Sequence, residues 1–266
     1  TVWQLDLRDP ADRERVYQAV AEADVVIANF TAGSAAKLGM DAETLRARNP
    51  RLIYGSINGF GEATERVAFD VVLQAESGFM YMNGQAAGPP TKMPVALIDV
   101  LAAHQLKQGL LVALLERQRT GLGSRVTVSL FEAAVAALAN QATNWLMAGH
   151  VPQRMGSQHP NIAPYGELFA TRDQQWLILA IGSDRQFTAL CAVLGCPALA
   201  AHPDYATNVL RVAHRAALAA ALRPHFAAKA AQSILETCHA QQVPIGMVSD
   251  MPAVFEHTLA KAMLLE

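Results

Sequence analysis

The residues best suited to chemistry gather around Asp99, in the segment MPVALIDVLAAHQLKQGLLVALLERQRTGLGSRVTVSLFEA. A short apolar run, Pro94 to Ile98, ends in a single carboxylate, and an alanine- and leucine-rich stretch from Val100 to about Arg117 follows at once. A strand followed directly by a helix puts a polar residue at the carboxyl end of the strand, where α/β proteins bind ligands. A carboxylate there also meets the N–H groups of a helix N-terminus, which stabilise negative charge. Such an aspartate can be a helix cap, a general base or a nucleophile.

The elements that must position it alternate along the first half. The residues from Trp3 to Leu7 alternate apolar and polar, as a strand would. Asp9-Pro10 opens a helix that runs to about Ala23. The run DVVIANF, from Asp24 to Phe30, is continuously apolar enough for a strand buried on both faces. Helices are expected at Gly33–Leu38 and Asp41–Arg48, a strand at Arg51–Ile57, a glycine-bearing loop at Asn58-Gly59-Phe60-Gly61 and a helix at Phe69–Gly78. The turn Thr120–Gly123 closes the Asp99 unit, and Arg125–Leu130 is the next strand. Strands separated by helices imply a parallel sheet with helices on its faces. There is no full GxGxxG, so the Rossmann-like pattern carries no dinucleotide signal.

The second half reads differently. One long helix is expected over Phe131–Gly149, then a loop rich in Pro and Gly, HVPQRMGSQHPNIAP. A β-hairpin follows, Tyr165–Ala170 and Trp176–Ile181 around a turn at Arg172-Asp173. Helices are expected at Asp184–Leu194, His214–Lys229 and Gln232–Gln241, with an extended segment at Val243–Val248. The resulting plan has a large α/β domain over 1–131, a linker helix and loop over 132–160, and a smaller α+β domain over 161–266.

Composition narrows the function classes. The formal net charge is −2 and no basic run appears, so no nucleic-acid partner is expected. The apolar stretch Phe131–Met147 is interrupted by Glu132, Asn140, Gln141 and Asn144, so it does not read as a membrane span. Cys191, Cys196 and Cys238 form no CxxC pair and no metal-ligand spacing with histidine, so no metal site is expected. A sparse, odd set of cysteines fits a reducing cytoplasm. The chain starts with Thr1 and opens on a strand-like LDL, as the interior of a longer polypeptide would.

Several segments, taken together in order and spacing, resemble the class III CoA-transferases, also called the CaiB/BaiF family. They are DVVIANFTAGSAAKLGM, NPRLIYGSINGFG, the segment from Gly88 through Asp99 to Ala133, HPNIAPYGELFATRDQQWLILAIGSDRQFTALCAVLG, and VPIGMV. They run from near residue 5 to about residue 255. Members are typically longer, and by this resemblance the chain lacks an opening strand–helix unit and a C-terminal segment. The resemblance implies a Rossmann-like large domain with a smaller domain, two chains interlocking as a homodimer. It implies transfer of CoA from an acyl-CoA donor to a small carboxylic acid, with the CoA thioester as substrate and no prosthetic group.

The family's catalytic aspartate matches Asp99, and the nucleotide-contacting segment matches Asn29, Phe30, Gly33, Ser34, Lys37 and Leu38. Thr31-Ala32 stand where the family often has Arg-Pro, which removes one charged contact. The family also includes 2-methylacyl-CoA racemases, which use a histidine before the aspartate at residue 70. Phe69 stands there, and it has no proton to move. Phe69 is otherwise expected in the core, Asp70 either in the site or simply starting a helix, and His104 and His159 in structural roles. Gly156, Ser157 and Gln158 fall where some members carry a glycine-rich lid. A non-catalytic CoA-binding homologue is the remaining alternative.

Overall fold

A computed structural model describes residues 1–30, 33–64 and 66–265. Within it the chain forms two compact units, Thr1–Arg154 and Met155–Glu266. Residues 132–154 of the expected linker thus belong to the first unit and 155–160 to the second.

In the first unit, α1 (Pro10–Glu22) starts where Asp9 accepts the Ala11 N–H and Pro10 occupies the first turn. Strand β1 (Val25–Ala28) leads through α2 (Ser34–Leu38) and α3 (Ala42–Arg48) to β2 (Ile53–Asn58). Two short helices, α4 (Asp70–Glu76) and α5 (Phe79–Met82), and the long α6 (Leu97–Thr120) then return the chain to β3 (Arg125–Ser129). The strands form a parallel sheet in the order β1-β2-β3, with Val26 opposite Tyr54 and Gly55 opposite Val126. Long helical crossovers between neighbours are what a parallel sheet requires. The alternation expected from the sequence is therefore present, with one correction. Trp3–Leu7 is not a strand. Its polar groups turn locally instead: Asp6 accepts the Arg8 backbone N–H at 3.0 Å and the Arg8 guanidinium at 2.8 Å.

Helix α6 determines where the site lies. Ile98, Ala102, Leu106 and Ala113 form its buried stripe, at the spacing of one helix face. Gly109 lets it lie close to the sheet, because a methyl group there would come within 2.5 Å of Val126 Cγ1. Its far end is pinned by Arg117, whose guanidinium donates to Asp24 Oδ1 at 2.8 Å, to Asp24 O at 3.2 Å and to Arg51 O at 3.2 Å. Asp24 and Arg51 precede β1 and β2, so the C-terminus of α6 sits at the strand beginnings. Its N-terminus must then lie toward the strand ends. By length and composition alone this helix could cross a membrane, but its buried stripe faces β2, β3 and α4.

The expected single helix over Phe131–Gly149 is two, α7 (Leu130–Ala136) and α8 (Ala139–Ala148). Ser129 caps α7 by accepting the Glu132 N–H, in a Ser-x-x-Glu arrangement typical of a helix start. The break comes at Ala139, whose φ of 49° leaves the right-handed helical region.

The second unit holds an antiparallel sheet in the order β4 (Tyr165–Ala170), β5 (Trp176–Ala180), β6 (Ile245–Met247). The hairpin and the main helices α9 (Asp184–Leu194), α12 (Arg215–Ala227) and α13 (Ala231–Ala240) match the sequence reading. The short helices α10 (Pro197–Ala200), α11 (Asn208–Ala213), Met251–Glu256 and Thr258–Lys261 were not legible in it. Leu177, Phe187, Leu190, Leu222, Phe226 and Ile234 belong to one continuous core, with Phe169 and Phe226 stacked at 4.4 Å. Arg211, fully buried, donates to Ala163 O, Tyr205 O and Asp184 Oδ1 at 2.7–3.0 Å, as a buried cation requires.

Candidate active site

Asp99 does not follow a strand. The expected strand Pro94–Ile98 is absent, and Asp99 lies in the first turn of α6. The reason is where the local backbone groups find partners. Met93 N–H donates to Gln74 Oε1 at 2.7 Å, Val95 O accepts from Gln74 Nε2 at 3.3 Å, and Ile98 N–H donates to Asp70 Oδ2 at 2.7 Å. Side chains of α4 thus take the groups that a neighbouring strand would have used. Asp99 follows the buried Ile98, and one residue turns a helix by about 100°. Its side chain therefore leaves the core face and opens onto a cavity.

That cavity has a volume of about 520 Å³. Asn29, Phe30, Asn58 and Gly59 come to it from the ends of β1 and β2, Arg66 to Phe69 from the segment before α4, Asp70 from the start of α4, and Asp99 from α6. This is the strand-end crevice in which open α/β sheets bind ligands. Phe30, Ile57 and Asn58 also line a second cavity of about 370 Å³, with Gly33, Asp41, Tyr54, Glu62 and Arg125. Gly59 is needed for the narrow wall, since a Cβ there would run into the Ala68 side chain.

Of the residues expected to meet a nucleotide, Asn29 and Phe30 share the cavity with Asp99, and Gly33 joins Phe30 in the second one. Ser34, Lys37 and Leu38 lie on α2, whose Ala35 and Ala36 line the second cavity, but are not themselves among the lining residues. Leu38 packs against the core around Met40 and Leu45. Thr31 and Ala32 lie outside the described residues. Phe69 corrects an expectation: it is 67% exposed and faces the cavity, so it is not a core residue. Asn58, Arg66 and Gln74 were not singled out from the sequence. The Asn-Gly-Phe-Gly loop was the one signal that could have pointed to Asn58.

The site is electrostatically uneven. Burial by its walls, and secondly the charge of Asp70, push the Asp99 carboxyl above the ordinary aspartate value. Arg66, the cation lining this cavity, forks onto the Glu76 carboxylate and lies 4.3 Å over the Phe60 ring. Arg125 in the second cavity pairs with Glu62. His104 is exposed and meets Lys107 at 3.3 Å. His159 acts within its own loop, accepting the Asn161 N–H at 3.1 Å and meeting Tyr165 edge-on. In the Gly156–Gln158 loop, Ser157 Oγ donates to Gly166 O at 2.5 Å. Among the described residues no group of side chains has the make-up of a metal site.

A parallel α/β unit with a carboxylate at its strand-end crevice defines a class that sequence comparison identifies. The chain matches the model of CoA-transferase family III over residues 2–265, and it belongs to that family. It is 38% identical to a succinate–glutarate CoA-transferase of Agrobacterium fabrum, over 94% of this chain and 63% of that protein. It is 37% identical to an acyl-CoA transferase of Fusarium pseudograminearum, over 96% of this chain and 56% of that protein. An acetyl-CoA:oxalate CoA-transferase of Acetobacter aceti is 36% identical, over 98% and 68%. The crystal structure of a CaiB/BaiF family protein from Brucella suis superposes with a TM-score of 0.87 at 40% identity, covering 97% of this chain and 68% of that one. The chain therefore spans roughly 56–68% of the length of these relatives.

Proposed function

We propose that this chain carries the nucleophile of a CoA-transferase, moving CoA from an acyl-CoA donor to a small carboxylic acid through Asp99. The observation that carries the reading is a carboxylate in the first turn of a long helix, its ionisation disfavoured by partial burial and by Asp70, opening onto a crevice lined by Asn29 and Phe30. Asp99 attacks the donor thioester carbonyl, the C–S bond breaks, and CoA leaves as thiolate. The thiolate attacks the aspartyl carbonyl of the resulting anhydride, releases the donor acid and leaves an aspartyl-CoA thioester. The acceptor carboxylate then attacks that thioester and frees thiolate again. In the last step the thiolate takes the acceptor acyl group and restores Asp99. Each step exchanges one acyl bond for another, so one hard reaction becomes several easier ones.

The reaction needs no prosthetic group. The two cavities meeting at Phe30, Ile57 and Asn58 suit an elongated thioester, with Asn29, Phe30 and Gly33 along its path. The first unit is read as the Rossmann-like CoA-binding domain and the second as the smaller α+β domain. Relatives named for succinate, glutarate and oxalate support a dicarboxylic acid as acceptor. We read the working protein as a cytoplasmic homodimer. Exposed Trp145, Leu146 and Met147 on α8 form an apolar surface that a partner chain would cover, and the three buried free thiols suit a reducing compartment. The test is mass spectrometry of the full-length protein mixed with a panel of acyl-CoAs. An acyl or CoA adduct mapped to Asp99 is expected, and turnover with no adduct there would overturn the nucleophile assignment.

A further inference from the structure

The first turn of α6 has no cap of its own: Ala96 precedes it and offers no side-chain acceptor. Helix N-termini leave several N–H groups without partners, and an unmet buried one is costly. Here the acceptor comes from another helix. Asp70 Oδ2 receives the Ile98 N–H at 2.7 Å and approaches the Asp99 N–H at 3.4 Å. The other Asp70 oxygen is held by Gln74 Nε2 at 2.5 Å, one turn along α4. Gln74 is fully buried, and its amide also grips the approach to α6, at Met93 N–H and Val95 O. An Asp that merely began α4 would not reach across 28 residues to another helix.

We propose that Asp70, locked by the buried Gln74, is a positioning residue for Asp99, fixing the first turn of α6 so that the Asp99 carboxylate is aimed into the cavity. The inference rests on the transferase reading above. Its chemical sense is that a carboxylate at a bare helix N-terminus is stabilised by the helix dipole and becomes a weaker nucleophile. Asp70 occupies those N–H groups first and sets a second negative charge beside Asp99, which helps to keep the Asp99 carboxyl above its ordinary value. The elements packed against α6 carry Asp70 and Glu76 on α4, Glu132 on α7, Tyr54 on β2 and Arg125 on β3. On α6 itself the nearest titratable groups are His104 and Lys107. Of all these only Asp70, together with Arg66 from the preceding segment, lines the cavity with Asp99.

The experiment measures acylation of Asp99 by acyl-CoA, as CoA released in the first turnover, from acid to neutral pH. Wild type, Asp70→Asn and Gln74→Met are compared in the full-length protein, with melting followed by circular dichroism. Asp70→Asn keeps an oxygen for the Ile98 N–H but removes the charge. We expect its acid limb to move down by about half a pH unit or more, and its plateau rate to fall about tenfold with KM for acyl-CoA within about twofold. Gln74→Met keeps side-chain length but releases Asp70, and kcat should again fall while KM holds. A purely structural role would leave the acid limb where it is. Unchanged limb and plateau in Asp70→Asn, with an Asp99 adduct formed normally, overturn the positioning role and leave the transferase reading intact. No adduct in wild type overturns both. If Asp70→Asn fails to fold, an unchanged kcat in Gln74→Met overturns the inference, as does loss of the fold in both variants.

Discussion

The two units cluster their buried apolar residues differently. The second gathers Leu177, Phe187, Leu190, Leu222, Phe226 and Ile234 into one continuous core around a stacked Phe169–Phe226 pair. The first splits its buried residues among separate clusters around Leu45, Leu106 and Leu73. Both leave apolar side chains exposed, Ile27, Val112, Leu115, Leu146 and Met147 in the first and Trp176, Val209, Met251, Leu259 and Met263 in the second. Charged groups in the two units also have different surroundings. In the second unit Arg211 and Arg215 are tied to several acceptors each, whereas in the first the Asp99 carboxylate lines a cavity near the like charge of Asp70. The first unit also holds the two cavities that share Phe30, Ile57 and Asn58.

The sharpest way to break this comparison is at Asp99. Asp99→Ala should lower CoA transfer by about 10⁴-fold or more, as loss of a covalent nucleophile does, while the melting temperature stays level or rises slightly because a carboxylate in unfavourable proximity to Asp70 has gone. A variant that keeps a tenth of wild-type turnover, or that melts well below wild type, would place Asp99 among structural residues.

Phe226→Ala reverses the pattern. Removing a fully buried, stacked ring should cost about 3–5 kcal/mol in denaturant unfolding, with the first-turnover rate at Asp99 unchanged in protein that remains folded. A loss below about 1 kcal/mol would show that the second core is looser than its packing.

The smallest effect concerns Glu167. It is buried, it pairs with Arg215 at 2.6 Å, and its Oε2 has no hydrogen-bond partner among the described residues. Burial pushes its carboxyl up, and Arg215 only partly offsets this. The folded state therefore holds the proton more tightly than the unfolded state. Stability from this group is full below the ordinary value of 4.5 and falls as pH rises through the higher folded value. Glu167→Gln should remove that decline, so the gap in melting temperature between variant and wild type should widen in the variant's favour as pH rises. A gap independent of pH would mean that the Arg215 pair fully compensates for burial.

Local signals in the sequence were sufficient for much of this molecule. Asp9-Pro10, the DVVIANF and RLIYGSI runs and the hairpin around Arg172-Asp173 each carry their own start, stop or periodicity, and each element formed where it was expected, although β1 is not buried on both faces: Ile27 is exposed. The family resemblance, spread over ordered motifs, also gave the family without any knowledge of the fold. What the sequence could not determine was set by partners distant along the chain. Pro94–Ile98 looks like a strand by composition, yet its backbone groups are taken by Asp70 and Gln74, and this turns the segment into the approach to a helix. Phe69 looks like core, yet it lines the cavity. Apolar periodicity reports which residues want burial, but a strand exists only if a neighbour supplies its hydrogen bonds, and a face is core only if another element covers it. Tertiary structure alone decided both, and with them the surroundings of Asp99.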